Sequence, residues 1–167
     1  MTSTDLLDNI SQQTDSFRNL VLKEASSLRD FTRRLEQILS QDHKNIQVRD
    51  TAFSAEFSSF CTSLRKEFDQ QLNFWQENRP LLRACTLKAD YSLVLAAKSF
   101  SLRAKTLSRA ADDFYTAYNN FNRFYKKYTL EKLAVWLLTS CCDDLNNLTG
   151  KILFLSREVS KKTGEAK

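Results

Sequence analysis

The middle of the chain places apolar residues at alternating steps of three and four. This spacing brings side chains back to one side of an α-helix turn after turn. Small alanines alternate with larger side chains, so a second helix can approach closely between the rings. The pattern predicts a long helix with a packing seam formed by Leu93, Ala97, Phe100, Ala104, Leu107, Ala111, Phe114, Tyr118, Phe121, Tyr125 and Tyr128.

The N-terminal part of the chain shows the same spacing. The first helix is predicted to begin at Ser3 or Thr4, and either hydroxyl can cap it by accepting a hydrogen bond from a free first-turn amide. The pattern fades in residues 41–45, which are predicted to form the first connection. Its seam contains two polar residues, which either fix the helix register or lie at a partly solvated edge. The seam consists of Leu7, Ile10, Thr14, Phe17, Val21, Glu24, Leu28, Phe31, Leu35 and Ile38.

A second helical segment resumes near Asp50 and meets the only proline, Pro80. A proline either occupies the first position of a new helix or kinks a continuing one. The apolar residues keep the same phase on both sides of Pro80, which favours a kinked helix that continues through it. These in-phase residues are Trp75, Leu82, Cys85, Ala89, Leu93 and Ala97.

A last amphipathic stretch follows Tyr128. Its apolar stripe lies about 160° around the helix axis from the direction in which the central seam would continue. Either the chain turns between Tyr128 and Glu131, with Thr129 as the new cap, or one helix changes its buried side midway. The segment from Lys161 is predicted to be a polar, frayed tail. The stripe itself consists of Ala134, Leu137, Cys141, Leu145, Leu148, Ile152, Leu155 and Val159.

Composition agrees with this helical pattern. The 167 residues include two glycines and one proline, and no alternating run typical of a strand occurs. We therefore predict an all-α fold, an elongated bundle of three to four long amphipathic helices with coiled-coil-like packing. One domain is expected over residues 1–160, followed by the polar tail at 161–167.

Residues that carry chemistry are few. The only histidine, His43, lies in a polar connection, and two glycines cannot form a phosphate-cradling loop. We expect no enzymatic activity, no cofactor and no metal site. The N-terminus lacks a basic and apolar leader, which predicts a cytoplasmic protein, either free or peripherally bound to a membrane. In that compartment four cysteines are expected to be reduced and mostly buried: Cys61, Cys85, Cys141 and Cys142.

The net charge of +5 is concentrated in residues 81–128, which carry nine Lys or Arg against three Asp. Five of the cations fall within about 40° of one another, opposite the central seam. They form either an ordinary solvated face or a docking surface for an anionic partner. Nucleic acid is the least expected partner, because no groove-reading or RNA-binding motif accompanies them. The five are Lys98, Lys105, Arg109, Arg123 and Lys127.

Three features together resemble a shortened BAR domain, an antiparallel helical dimer that senses or shapes membranes. They are the long first helix, the kink at residues 78–82, and the Asn- and aromatic-rich run 119–128 that leads into the last helix. The resemblance implies a homodimer whose five basic residues meet anionic lipid. The alternative is a soluble helical adaptor or scaffold subunit, whose apolar seams are completed by partner helices in a larger complex.

Overall fold

The computed structural model describes residues 2–40, 46–84, 90–125 and 132–165. These residues form four helices: α1 (Ser3–Leu39), α2 (Ile46–Ala84), α3 (Tyr91–Tyr125) and α4 (Lys132–Glu165). At about 1.5 Å per residue, each helix is on the order of 50–58 Å long. The predicted all-α bundle is confirmed. The predicted first connection at residues 41–45 lies outside the described residues.

The helix α1 begins at Ser3, as predicted, but its cap is Thr2. Thr2 Oγ1 accepts a hydrogen bond from the Asp5 amide at 3.1 Å, and the Asp5 carboxylate accepts one from the Thr2 amide at 3.3 Å. This reciprocal capping box needs an acidic or amide side chain three residues after the cap. Ser3 and Thr4 are each followed at that distance by a leucine, so the prediction of either as the cap is wrong.

The predicted continuation of the helix through Pro80 is confirmed, because Pro80 lies inside α2, but its extension into the central seam is wrong. The helix α2 ends at Ala84, and α3 is a separate helix that begins at Tyr91. The Asp90 carbonyl accepts the first α3 hydrogen bond from the Val94 amide, and the Asp90 carboxylate accepts one from the Ser92 hydroxyl. Aspartate before an apolar run is a helix-start signal that outweighs the continuity of phase across the break.

The chain turns between α3 and α4, as the first of the two predicted alternatives required. The hydroxyl groups of Tyr118 and Thr139 are 2.8 Å apart although 21 residues separate them, which one continuous helix does not allow. Thr129, the predicted cap, lies outside the described residues. The predicted frayed tail is helical as far as Glu165, and Thr163 is buried there. In the α4 stripe, Leu138 is fully buried and Leu137 only partly.

Side-chain pairs fix the directions of the helices. Two ion pairs join α1 to α3 in parallel: Arg103 with Asp15, and Arg29 with Asp113 at 3.0 Å. The helix α2 lies antiparallel to α1, because Phe17 contacts Phe68 whereas Phe31 contacts Phe53. Two more ion pairs place α4 parallel to α2, and these join Arg65 to Asp144 and Arg83 to Glu158.

Each helix has two neighbours in the bundle. The helices α1 and α4 both pack against α2 and α3, so α1 lies diagonally opposite α4, and α2 lies diagonally opposite α3. Consecutive helices α2 and α3 are therefore joined across the diagonal rather than side by side. Aromatic rings fill the space between them, in the pairs Phe57–Phe121, Phe68–Phe114 and Trp75–Phe100, with centroids 4.8, 5.9 and 6.4 Å apart.

The helix α3 approaches its two neighbours through two rows of alanine. Residues seven apart share a helix face. The neighbouring helix that each row faces therefore follows from the contact made by the one polar residue in that row. Arg103 pairs with α1, and its row therefore faces α1; Tyr118 bonds to α4, and its row therefore faces α4. The buried alanines are Ala96, Ala110 and Ala117 in the first row, and Ala97, Ala104 and Ala111 in the second.

Candidate anionic-surface site on α3

The predicted packing seam and the predicted basic residues lie on opposite sides of α3. Of the nine seam residues from Leu93 to Phe121, Tyr118 is partly buried and the other eight are buried. Tyr125 has no described side chain and Tyr128 lies outside the described residues. On the opposite side, the exposed cations are Lys98, Lys105, Arg109 and Arg123. Lys127, the fifth predicted cation, lies outside the described residues.

The exposed cations on α3 are not neutralised from within the described part of the chain. No described carboxylate lies within 4.0 Å of Lys98, Lys105 or Arg109. Two acids on α3 follow these cations in the sequence. Asp113 pairs with Arg29 of α1, and Asp112 forms no ion pair with a described residue. The positive charge along this helix is therefore free to meet an anion outside the chain.

Exposed apolar side chains lie on the same face, a feature that the sequence interpretation missed. Tyr91, Leu95 and Leu102 are 78, 48 and 64% exposed. At 100° per residue they fall within about 60° of Lys98. The missed signal was available in the sequence, because Leu95 and Leu102 lie seven residues apart and flank Lys98. We call the six residues Tyr91, Leu95, Lys98, Leu102, Lys105 and Arg109 the α3 outer face.

The α3 outer face is a continuous, mixed strip. From Tyr91 to Arg109 it extends about 27 Å along the helix axis, and apolar and cationic residues are interspersed along it. Arg123 lies on the same side about 21 Å further towards the C-terminal end of α3. A helix face of this kind can bind anionic groups through its cations and contact apolar groups through its other side chains. Both kinds of group occur together at an interface between water and lipid.

Other kinds of site are not visible in the described ranges. Nowhere in them do three or more His, Cys, Asp or Glu side chains come together as ligands for a metal ion. None of the four helices, over the residues described, has a stretch long and apolar enough to cross a bilayer. His43 lies outside these ranges. No protein-family model, no curated protein and no solved structure matches the chain.

Cys61, Cys141 and Cys142 are buried, as predicted, with Cys141 and Cys142 as free thiols, and Cys85 lies outside the described residues. Burial raises the pKa of Cys141 and of Cys142 to about 12. Neighbouring carboxylates add to this effect, since Asp143 disfavours a second negative charge at Cys142. The thiolate is the reactive form of cysteine. Cys141 and Cys142 are therefore core residues and are not suited to act as nucleophiles.

We expect Cys141 and Cys142 to resist alkylation in the folded protein. With a pKa of about 12, about one thiol in ten thousand is ionised at pH 8, and the surrounding helices block access. Mass spectrometry of peptides after iodoacetamide treatment should find both residues unmodified in buffer and modified in urea. Rapid labelling of Cys141 in buffer would contradict its position in the core.

Proposed function

We propose that this chain is a non-enzymatic helical module that associates with anionic membrane surfaces through the α3 outer face. The observation that carries the proposal is the presence of exposed cations and exposed apolar side chains together along this face. Anionic lipid attracts each nearby Lys or Arg by about 1 kcal/mol. Apolar side chains beside them enter the boundary between headgroups and acyl chains.

The apolar residues favour this interpretation over an ordinary solvated face. Single exposed apolar residues are common on soluble proteins and need no explanation. On α3 three of them share one side of one helix, and Leu102 stands between Lys98 and Lys105 with 64% of its surface exposed. A grouped apolar patch with a charged rim is typical of an interaction surface.

The dimer implied by the BAR-domain resemblance stays a prediction. The four seams of this bundle bury one another within a single chain, as the rings of α2 and α3 demonstrate at Phe57 and Phe121. The α3 outer face therefore does not depend on a second copy for its formation. Light scattering of the protein in solution measures its mass and decides between monomer and dimer.

Vesicle sedimentation tests the proposal directly. The protein should sediment at low salt with vesicles of phosphatidylcholine and phosphatidylserine, and stay in the supernatant with phosphatidylcholine alone. Replacing Lys98, Lys105 and Arg109 together with glutamate should weaken binding at least a hundredfold, because three contributions of about 1 kcal/mol are lost and three repulsions appear. Binding of the parent should also weaken as salt is added.

A matched control variant distinguishes an effect of the α3 outer face on vesicle binding from an effect of the protein's net charge. Lys66, Arg157 and Lys162 are exposed on α2 and α4, so their replacement by glutamate gives the same net charge with the α3 outer face intact. This variant should bind vesicles within a few fold of the parent. Both variants should keep the helical circular dichroism signal and the melting temperature. Equal loss of binding in both would refute a role for the α3 outer face.

A helical adaptor that binds an apolar partner helix is the second candidate function. The observation in its favour lies on α4, where Leu133 and Trp136 are one turn apart and 59 and 63% exposed. The vesicle experiment distinguishes the two candidates. A parent protein that remains in the supernatant with anionic vesicles at low salt excludes membrane association and leaves the adaptor.

A further inference from the structure

Two adjoining clefts lie away from the α3 outer face, an inner one between α2 and α4 and an outer one whose described lining belongs to α2. The inner cleft, of about 130 Å³, is lined on the α2 side by Leu72, Trp75, Gln76 and Arg79, and on the α4 side by residues that include Asn147 and Lys151. Its volume corresponds to about four water molecules. The outer cleft, of about 560 Å³, shares Trp75, Gln76 and Arg79 and adds Arg83.

Two residues that line these clefts, Trp75 and Arg79, each carry a buried hydrogen-bond donor without an acceptor among the described residues. The Trp75 side chain is 1% exposed, and its indole Nε1–H has no partner among the described residues. The Nε–H of Arg79, one turn further along α2, is also buried without a partner. A buried donor without an acceptor costs about 1–3 kcal/mol, so both groups favour an acceptor supplied from outside the chain.

The charges around the clefts are positive. Arg79 and Lys151 line the inner cleft, and no described carboxylate forms an ion pair with either. The one acid in its lining, Asp144, is already engaged by Arg65 at 2.9 Å. Arg83 lines the outer cleft and lies 3.8 Å from Glu158. Two cations without a described ion-pair partner, Arg79 and Lys151, therefore converge on the inner cleft, where the only lining acid already has a partner.

We propose that the inner cleft binds a phosphate group, with the rest of the ligand in the outer cleft. A phosphate monoester carries about −1.5 to −2 charges and three acceptor oxygens at pH 7. It therefore matches both the number of cations and the two free donors, whereas a carboxylate carries one charge. Arg79 supplies its guanidinium and Lys151 an ammonium, and Trp75 donates its indole N–H.

A soluble phosphate ester is the source favoured by the geometry. The helices α2 and α3 are diagonal in the bundle, so the α2–α4 groove and the α3 outer face open on different sides. A membrane in contact with the α3 outer face would leave the clefts facing water. The phosphate site does not rest on the proposed membrane function, and either can fail without the other.

Tryptophan fluorescence gives a direct readout of the cleft. The chain has two tryptophans, and Trp136 is 63% exposed, so Trp136→Phe leaves Trp75 as the only indole reporter. Titrating this protein with inorganic phosphate should change the Trp75 emission saturably, while potassium chloride or acetate at matched ionic strength should not. Arg79→Gln and Lys151→Gln, each added to Trp136→Phe, should raise the dissociation constant at least tenfold.

Arg157→Gln is the matched control, because it removes an exposed α4 cation on another side of the helix. It should leave the phosphate dissociation constant within twofold of the Trp136→Phe parent. Lys151 is also exposed, so Lys151→Gln keeps the test valid if Arg79→Gln unfolds.

A second arm compares vesicles of phosphatidylcholine that contain phosphatidic acid or phosphatidylserine at equal surface charge. A preference for phosphatidic acid that Arg79→Gln abolishes would assign the phosphate to a lipid headgroup. Binding of free phosphate without this preference assigns it to a soluble ester. If neither free phosphate nor phosphatidic acid shows binding that depends on Arg79 and Lys151, the phosphate site is refuted.

Discussion

Ala104→Leu and Ala111→Leu should each destabilise the bundle by about 1–3 kcal/mol, the usual cost of forcing extra methylenes into a packed core. Both alanines are almost completely buried, at 1 and 2% exposure, in the α3 row that faces α4. Leucine at either position pushes the two helices apart or forces a strained rotamer. Leu107→Ile, which keeps the volume of a fully buried neighbour, should cost less than about 1.5 kcal/mol.

Thermal unfolding followed by circular dichroism measures these differences. For a chain of this size, 1 kcal/mol corresponds to about 2–4 °C in melting temperature. Ala55→Leu provides the matched control, because Ala55 is an exposed alanine within α2, where the larger side chain can extend into solvent. Equal melting temperatures for Ala104→Leu, Leu107→Ile and Ala55→Leu would show that α3 and α4 are not in close contact.

The α3 alanines also show what the sequence pattern can and cannot predict. The steps of three and four locate the seam around Leu107 because burial of one helix side is a local property of the sequence. They do not say which helix covers that side. The alanine row that faces α1, at Ala96, Ala110 and Ala117, was missed because a helix with two neighbours buries more than one stripe. The parallel pairing of α1 with α3, which two ion pairs reveal, is a long-range arrangement that periodicity does not encode.

The break between α2 and α3 illustrates a second limit. The apolar residues keep the same helical phase from Trp75 to Ala97, although α2 ends at Ala84 and α3 begins at Tyr91. Phase alone therefore does not distinguish one helix from two, and the better signal was Asp90, whose carbonyl accepts the first hydrogen bond of α3.

Only the cations of the candidate site were predicted, and its apolar residues were not. Lys98, Lys105 and Arg109 could be placed opposite the seam by angle alone, and they are exposed. Leu95 and Leu102 were overlooked because apolar residues are assigned to the core by default, although their angle places them among the cations. The clefts beside Trp75 depend on the pairing of α2 with α4, which the sequence did not reveal.

Glu24 is a buried acid in the α1 seam, and its titration should make stability depend on pH. It is 6% exposed, so the alternative of a partly solvated seam edge is wrong. Burial raises the pKa of Glu24, and the charge of Glu67 on α2 raises it further. Lys23 lowers it, but its ammonium is 4.0 Å away and largely in solvent. One oxygen of Glu67 is itself buried without a donor among the described residues.

The sign of the pH dependence follows from this raised pKa. The folded protein holds the Glu24 proton more tightly than the unfolded chain does, so the free energy of unfolding falls as pH rises from the ordinary carboxyl pKa, about 4.3, through the folded value. Below that window Glu24 is protonated in both states and costs nothing. Above it, each unit by which the pKa is raised costs about 1.4 kcal/mol.

Glu24→Gln should therefore melt at a higher temperature than the parent at pH 7, and the difference should shrink as the pH falls towards 4. Glutamine keeps the shape of the protonated carboxyl group and cannot ionise, so it removes the cost without leaving a cavity. Glu36→Gln, at an exposed position on the same helix, should change the melting temperature little at either pH. A Glu24→Gln protein that melts below the parent at pH 7 would show instead that the charge of Glu24 is stabilised in the folded bundle.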